Sequence, residues 1–152
     1  MIEGIRLTPL NRVPTPAGDV LHGLKASGPG FFGFGEAYFS QIYEGATKAW
    51  RRHDRATLNL MVPVGLVRFV VHDDRPESSS VGVFEQYWLG ETSYARLTVG
   101  PGLWMAFQGI GPGTSTILDI SNQEYDPGET SARELSTFPF DWTTPAPKSV
   151  RN

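Results

Sequence analysis

The stretch that decides the fold is residues 45–65, which read GATKAWRRHDRATLNLMVPVG. In its second half, two sets of side chains alternate: Leu58, Leu60 and Val62 against Thr57, Asn59 and Met61. A period of two is typical of a β-strand with two different faces. The stretch ends at Val64-Gly65, a turn signal between two apolar runs. We therefore predict a strand here that buries one face.

Similar strand-like runs recur along the whole chain of 152 residues. They cover residues 2–8, 35–43, 56–64, 66–72, 82–89, 94–99, 103–108 and 114–121. The 17 Gly and 12 Pro are spread between these runs as turn residues. Only residues 45–50 and 131–135 have room for a helical turn. We predict one all-β domain over residues 1–152, a sandwich or a closed barrel, with an extended and partly loose tail from about residue 138.

The overall composition excludes several classes of protein. A formal net charge of −3 disfavours a nucleic-acid binder, which needs a basic face. No apolar run approaches the roughly 20 residues that span a bilayer, and the first residues lack the shape of a signal peptide. The chain has no cysteine, which excludes disulfides and fits a reducing compartment. We expect a cytoplasmic protein that contacts neither nucleic acid nor membrane.

The spacing of Gly45, Arg51, His53, Leu58 and Gly65 resembles the first motif of the cupins. This resemblance implies a cupin-type double-stranded β-helix, the jelly-roll barrel. In metal-binding cupins the three inner positions are His, His and Glu, which project together into the barrel. Here Arg51 and Leu58 replace two of those ligands.

A second cupin motif resembles GLWMAF at residues 102–107, where Met105 occupies the position of the remaining histidine. One histidine among four ligand positions does not hold a divalent metal, because such sites need three or more nitrogen or oxygen ligands. We therefore expect no metal and no other cofactor. A metal-dependent cupin dioxygenase or isomerase is disfavoured on the same ground.

One branch of the cupins resembles this chain from about residue 18 to residue 142. The segments that carry the likeness are GFGE at 33–36, AWRRH at 49–53, VG at 64–65, GLWMAF at 102–107 and YDP at 125–127. They are similar to the dTDP-4-dehydrorhamnose 3,5-epimerase family, whose members act on nucleotide sugars. The resemblance implies a homodimer that trades N-terminal strands, with residues 2–10 as the interface strand.

The family resemblance implies catalytic roles for three positions. His53 matches the histidine that removes a proton next to the 4-keto group, a task suited to an imidazole at neutral pH. Asp119 falls on the place of the tyrosine that protonates the opposite ring face, and serves there only if burial keeps it protonated. Tyr125 matches a second tyrosine. The aspartate that orients the histidine has no counterpart, and the family's lysine falls near Leu58.

The expected substrate-binding residues surround these positions. Phe34 and Glu36 match family positions that contact the nucleotide, and the basic cluster around His53 suits a diphosphate or an enolate. Asn59 faces the cavity or the opposite side, depending on strand register. The complete expected set is Phe34, Glu36, Lys48, Arg51, Arg52, Asn59, Trp104 and Asn122. The resulting hypothesis is an epimerase of a nucleotide-linked 4-keto sugar; the alternative is a non-catalytic module that binds such a sugar or another polar ligand.

Overall fold

A computed structural model describes residues 1–150 of the chain; the last two residues of the predicted domain lie outside it. Its regular elements are twelve strands and three short 3₁₀ turns. The strands are β1 Ile5–Pro9, β2 Arg12–Val13, β3 Val20–Leu21, β4 Glu36–Tyr43, β5 Thr47–His53, β6 Leu58–Val64, β7 Leu66–His72, β8 Phe84–Gly90, β9 Ala95–Val99, β10 Trp104–Gly109, β11 Thr114–Ser121 and β12 Thr130–Ala132. The turns are Pro127–Glu129, Leu135–Thr137 and Lys148–Val150.

Ten of the strands form two antiparallel five-stranded sheets. The first sheet has the order β1-β9-β6-β11-β4, and the second has the order β12-β5-β10-β7-β8. Their facing sides enclose one apolar core, to which Leu58 and Leu60 of β6, Phe69 of β7 and Met105 of β10 contribute. We call the sides that enclose this core the inner faces. The predicted all-β jelly-roll barrel is confirmed.

The two segments with room for a helical turn are largely strand. Residues 47–53 form β5, which pairs with β10, and residues 130–132 form β12, which pairs with the end of β5. Pairing with a neighbouring strand overrides weak local preference there, and a 3₁₀ turn begins only at Leu135. The strand predicted at residues 114–121 coincides with β11.

A second apolar cluster covers the outer face of the second sheet. Trp50, Val70, Trp104 and Ala106 are its buried members, and aromatic residues of the C-terminal segment pack on them: Phe138, Phe140 and Trp142. Phe138 contacts Trp50 edge-on, with 5.3 Å between ring centroids. The expectation of a loose tail is therefore wrong for residues 138–142, which complete this outer cluster.

In the single chain, the N-terminal strand lies at the edge of the first sheet. β1 pairs antiparallel with β9, with Ile5 opposite Val99, and the side chains of Ile2 and Ile5 enter the inner core. The expected interface strand is thus an edge strand of the first sheet in the single chain. Among residues 1–150, no helix is long and apolar enough to cross a membrane.

Candidate active site

A β-bulge in β5 decides which of its basic residues reach the inner face. Arg51 lies opposite Met105, but Lys48 lies opposite Phe107, so β5 carries one more residue than β10 between these pairs. Such an extra residue reverses the facing of the residues beyond it. Because Met105 and Phe107 both pack on the inner core, Arg51 and Lys48 share that face. Lys48 reaches across to the first sheet, where its Nζ donates to Ser40 Oγ at 2.9 Å.

His53 ends β5 on the same inner face and is held by a buried glutamate. The Nδ1 of His53 lies 2.7 Å from Oε1 of Glu129, whose side chain is only 2% exposed. A carboxylate can only accept hydrogen bonds, so Nδ1 carries the proton and donates it. The lone pair of the ring then resides on Nε2, which is the arrangement a general base needs.

The other oxygen of Glu129 is fixed by the backbone. Its Oε2 accepts from the amides of Arg55 at 2.8 Å and Ala56 at 3.2 Å. Burial raises the pKa of Glu129, but the hydrogen bonds from His53 and the two amides outweigh it and hold the pKa below its ordinary value. Glu129 is therefore a carboxylate at neutral pH. It contacts His53 as an orienting carboxylate would, and the sequence predicted no such residue.

The backbone that carries Glu129 is itself anchored to β5. Residues 127–129 form a 3₁₀ turn, and the Asp126 side chain caps it by accepting from Gly128 N at 2.8 Å. The next residue, Thr130, opens β12 directly opposite His53. The amide of Asp54 also donates to the Glu129 carbonyl at 2.8 Å. Strand pairing therefore brings the two side chains together.

Asp119 faces His53 from the opposite wall. It lies on the inner face of β11, is 4% exposed, and accepts a 2.7 Å hydrogen bond from the hydroxyl of Tyr38. Burial raises the pKa of Asp119 to about 6, helped by the charge of Glu36, while Tyr38 and His53 oppose the rise. Burial and the neighbouring Asp119 likewise raise the pKa of Tyr38. Sequence reasoning missed Tyr38, although it lies two residues after Glu36 and so shares its face.

On the side of the first sheet, the edge strand β4 and the loop before it expose aromatic side chains near the site. Tyr38 is 44% exposed there, and Phe34, in the loop before β4, is 67% exposed. Beside His53 itself the enclosed space is about 10 Å³, bounded by Leu58 and Met105 among others. That is room for about one water molecule. Any larger ligand therefore has to lie toward the exposed edge at β4.

Two of the expected binding residues lie on the outer face instead. Arg52 stacks on Trp104, with 4.9 Å from its guanidinium carbon to the ring centroid, and lies 3.3 Å from Asp54. Trp104 is 1% exposed, belongs to the outer cluster, and donates from Nε1 to Asp74 at 2.8 Å. The structure does not bring either residue together with His53.

Three more expected residues lie elsewhere. Asn59 points away from Leu58 and donates to the Gly30 carbonyl at 2.9 Å beneath the loop that precedes β4. Asn122 accepts a hydrogen bond from the Thr57 amide at 2.8 Å, which fixes the start of the segment between β11 and β12, residues 122–129. Tyr125 is 66% exposed in that segment and makes no side-chain hydrogen bond to the other described residues.

A groove of about 640 Å³ adjoins the site along β5 and the C-terminal segment. Arg51 and Met105 line both this groove and the small space beside His53, and the groove extends past Lys48 to Arg133. It therefore offers cationic groups next to His53. In residues 1–150, no three His, Cys, Asp or Glu side chains are grouped so as to hold a metal ion.

Comparison with known proteins identifies relatives of this chain. No family model matches the chain. A dTDP sugar isomerase from Desulfovibrio desulfuricans G20 is 33% identical, with 93% of this chain and 92% of that one covered at a TM-score of 0.90. A probable low-salt glycan biosynthesis epimerase, Agl13 of Haloferax volcanii, is 28% identical over 59% of this chain and 58% of its own length.

A more distant structure shares the fold over most of its length. The dTDP-4-dehydrorhamnose 3,5-epimerase from Elizabethkingia anophelis is 14% identical, with 95% of this chain and 84% of that one covered at a TM-score of 0.79. The Desulfovibrio protein shares a third of its residues with this chain over nearly the whole of both. The chain therefore belongs to the dTDP-4-dehydrorhamnose 3,5-epimerase family, as a divergent member.

Proposed function

We propose that this protein epimerises a nucleotide-linked 4-keto sugar by removing and returning a proton next to the ketone, without metal or redox cofactor. The observation that carries the proposal is the His53–Glu129 pair, with its 2.7 Å hydrogen bond on the inner face of the barrel. A histidine that serves only packing does not need a buried carboxylate to select its tautomer. A general base does.

The chemistry follows from the protonation of this pair. Nε2 of His53 takes the proton from the carbon adjacent to the ketone, and the electron pair moves to the ketone oxygen as an enolate. The Glu129 carboxylate stabilises the imidazolium that forms, because the two then carry opposite charges 2.7 Å apart. Developing enolate charge is stabilised by a cation. Lys48 and Arg51 are the cationic groups on the inner face of β5, and we assign them this role together with diphosphate binding.

The substrate class is supported by the relatives and by the mouth of the site. The Desulfovibrio relative is a dTDP sugar isomerase, and Agl13 is a probable epimerase of glycan biosynthesis. At the open edge, the exposed ring of Phe34 provides a surface on which a nucleotide base stacks, and Glu36 begins β4 beside it. We assign the nucleotide to this end and the sugar to the space between His53 and β4.

The location and assembly of the protein are part of the same proposal. We place it in the cytoplasm, where nucleotide sugars are made, and as a homodimer. Phe39 and Tyr43 on the outer face of β4 are 69% and 70% exposed, which suits an interface better than solvent. Size-exclusion chromatography with light scattering tests this, and a mass equal to that of one chain contradicts the dimer.

A solvent-exchange experiment tests the proposed activity. The protein is incubated in D₂O with a dTDP-linked 4-keto-6-deoxyhexose, and ring protons are followed by NMR. We expect deuterium at a carbon adjacent to the ketone, and no incorporation with His53→Ala. His22→Ala is the matched control, because His22 lies in the loop after β3, outside the site. Absence of exchange in the unmodified protein, with binding still measurable by calorimetry, selects the alternative of a non-catalytic binding module.

A further inference from the structure

Tyr38 and Asp119 form a hydrogen-bonded pair on the wall opposite His53. They are directly opposed residues on the neighbouring strands β4 and β11 of the first sheet, whereas His53 belongs to the second sheet. Facing sheets in a sandwich lie about 10 Å apart. A sugar ring between the two walls therefore presents one face to His53 and the other to Tyr38.

The two members of this pair differ in their access to the cavity. The ring of Tyr38 is 44% exposed at the open edge, so a bound sugar can touch its hydroxyl. Asp119 is 4% exposed and lies behind it. One oxygen of Asp119, Oδ2, meets the Tyr38 hydroxyl, while the buried Oδ1 has no hydrogen-bond partner within residues 1–150. A buried acid with a single partner is better accommodated when protonated than when ionised.

We propose that Tyr38 is the acid that protonates the ring face opposite His53, and that Asp119 positions Tyr38 and replaces its proton. This inference rests on the proposed function. In the step, the Tyr38 O–H bond breaks and its proton forms the new C–H bond. The proton of the Asp119 carboxyl moves at the same time to the Tyr38 oxygen, across the 2.7 Å that separates the two oxygens.

The balance of this step explains why two residues are needed. After one inversion His53 holds the proton it removed and Asp119 is ionised, while Tyr38 is neutral again and the ketone is restored. Water at the open edge then takes the proton from His53 and returns one to Asp119. Without Asp119, protonation of the sugar leaves a phenolate in a site where burial already disfavours that charge.

The test measures two quantities separately: the exchange of the sugar C–H for deuterium and the inversion of configuration at that carbon. In D₂O, return of deuterium by His53 retains the configuration at the carbon, and delivery by Tyr38 inverts it; NMR distinguishes the two products. In Tyr38→Phe we expect inversion to fall by about 10²–10⁴-fold, the usual contribution of an acid–base group, with exchange kept within about threefold. In Asp119→Asn we expect inversion to fall at least about tenfold with exchange retained. Tyr43→Phe, on the outer face of β4, is the matched control.

A pH profile adds a readout that a purely structural role does not move. The titratable groups that affect the pKa of Asp119 are Tyr38 and Glu36 on β4 and His53 on β5. The residue of β6 that lies opposite Asp119 is Leu60, which is apolar. Because the acid must be protonated, we expect inversion to slow as pH rises through the pKa of Asp119. This limb is expected to be missing in Asp119→Asn.

Three results overturn the inference. They are equal losses of exchange and inversion in Tyr38→Phe, undiminished inversion in that variant, and a pH limb that persists in Asp119→Asn. A lack of exchange in the unmodified protein instead removes the proposed function, and the acid assignment with it. The exchange measurement on the unmodified protein thus distinguishes the two failures.

Discussion

We expect a large loss of activity when Glu129 is replaced by glutamine, which exchanges one carboxylate oxygen for an NH₂ group. The carboxylate accepts hydrogen bonds from Nδ1 of His53 and from the amides of Arg55 and Ala56. It also accepts a longer one, at 3.5 Å, from the hydroxyl of Thr130. In Glu129→Gln, a single oxygen remains and the other atom becomes a donor. The side chain must therefore choose which partners keep an acceptor.

The two orientations of this glutamine differ in cost. Turning its NH₂ toward the amides of Arg55 and Ala56 leaves two buried donors unpaired, at about 1–3 kcal/mol each. Turning its NH₂ toward His53 requires only that the imidazole change tautomer, so that Nδ1 accepts and Nε2 carries the proton. The second orientation therefore has the lower free energy. Nε2 then has no lone pair with which to remove a proton from the sugar.

We expect kcat of Glu129→Gln to fall by about 10²–10⁴-fold, the range of general acid–base catalysis. KM should stay within about threefold, since Glu129 lies behind His53 and does not reach the sugar. The assay is steady-state turnover of the 4-keto sugar with deuterium exchange, alongside urea unfolding to show that the fold is intact. Glu124→Gln, an exposed residue of the same segment, is the control. A folded Glu129→Gln that keeps more than about a tenth of the rate refutes this reasoning.

Two further predictions concern Asp119 and the basic residues of β5. Burial raises the pKa of Asp119 from 3.8 to about 6, so the folded chain is stabilised when this group is protonated and loses that stability as pH rises from about 4 to 6. Asp119→Asn removes this titration. Urea unfolding at pH 4 and pH 7 should therefore show that the free energy of unfolding of the variant rises relative to that of the unmodified protein, by up to on the order of 3 kcal/mol. A difference between the two proteins that does not depend on pH contradicts this prediction. Arg51→Ala should raise KM for the nucleotide sugar by about tenfold, the value of one charged contact. Arg52→Ala, on the outer face, should leave KM nearly unchanged. Equal effects of the two substitutions on KM contradict the assignment of Arg51 and Arg52 to different faces.

The sequence alone does not predict which face of β5 each basic residue lies on. Regular alternation along β5 places Lys48 and Arg52 on one side and Arg51 and His53 on the other. The bulge reverses Lys48, so that it joins Arg51 and His53. The bulge depends on how β5 registers against β10, more than fifty positions away in the chain. Periodicity within β5 carries no information on that register.

The two residues that sequence analysis missed differ in how easily they could have been found. Tyr38 follows Glu36 by two positions in a predicted strand, so alternation alone places it on the same face. Glu129 has no such local signal. Its contact with His53 spans 76 positions and depends on the pairing of β12 with β5, a strand that the sequence did not predict. The lack of a counterpart to the family's orienting aspartate therefore does not leave His53 without a carboxylate partner.

The lack of metal ligands at three cupin positions changes what fixes the distance between the walls that carry His53 and Tyr38. In metal-binding cupins, ligands at the positions of Arg51, Leu58 and Met105 tie β5, β6 and β10, strands of both sheets, to one ion. Here Leu58 and Met105 are buried in the inner core, so apolar packing spaces the two sheets, and the hydrogen bond from Lys48 to Ser40 also joins them. His53 and Glu129 are fixed to each other within the second sheet, and Tyr38 and Asp119 within the first. Because interiors are close-packed and resist compression, this core holds His53, the proposed base, and Tyr38, the proposed acid, at a constant spacing.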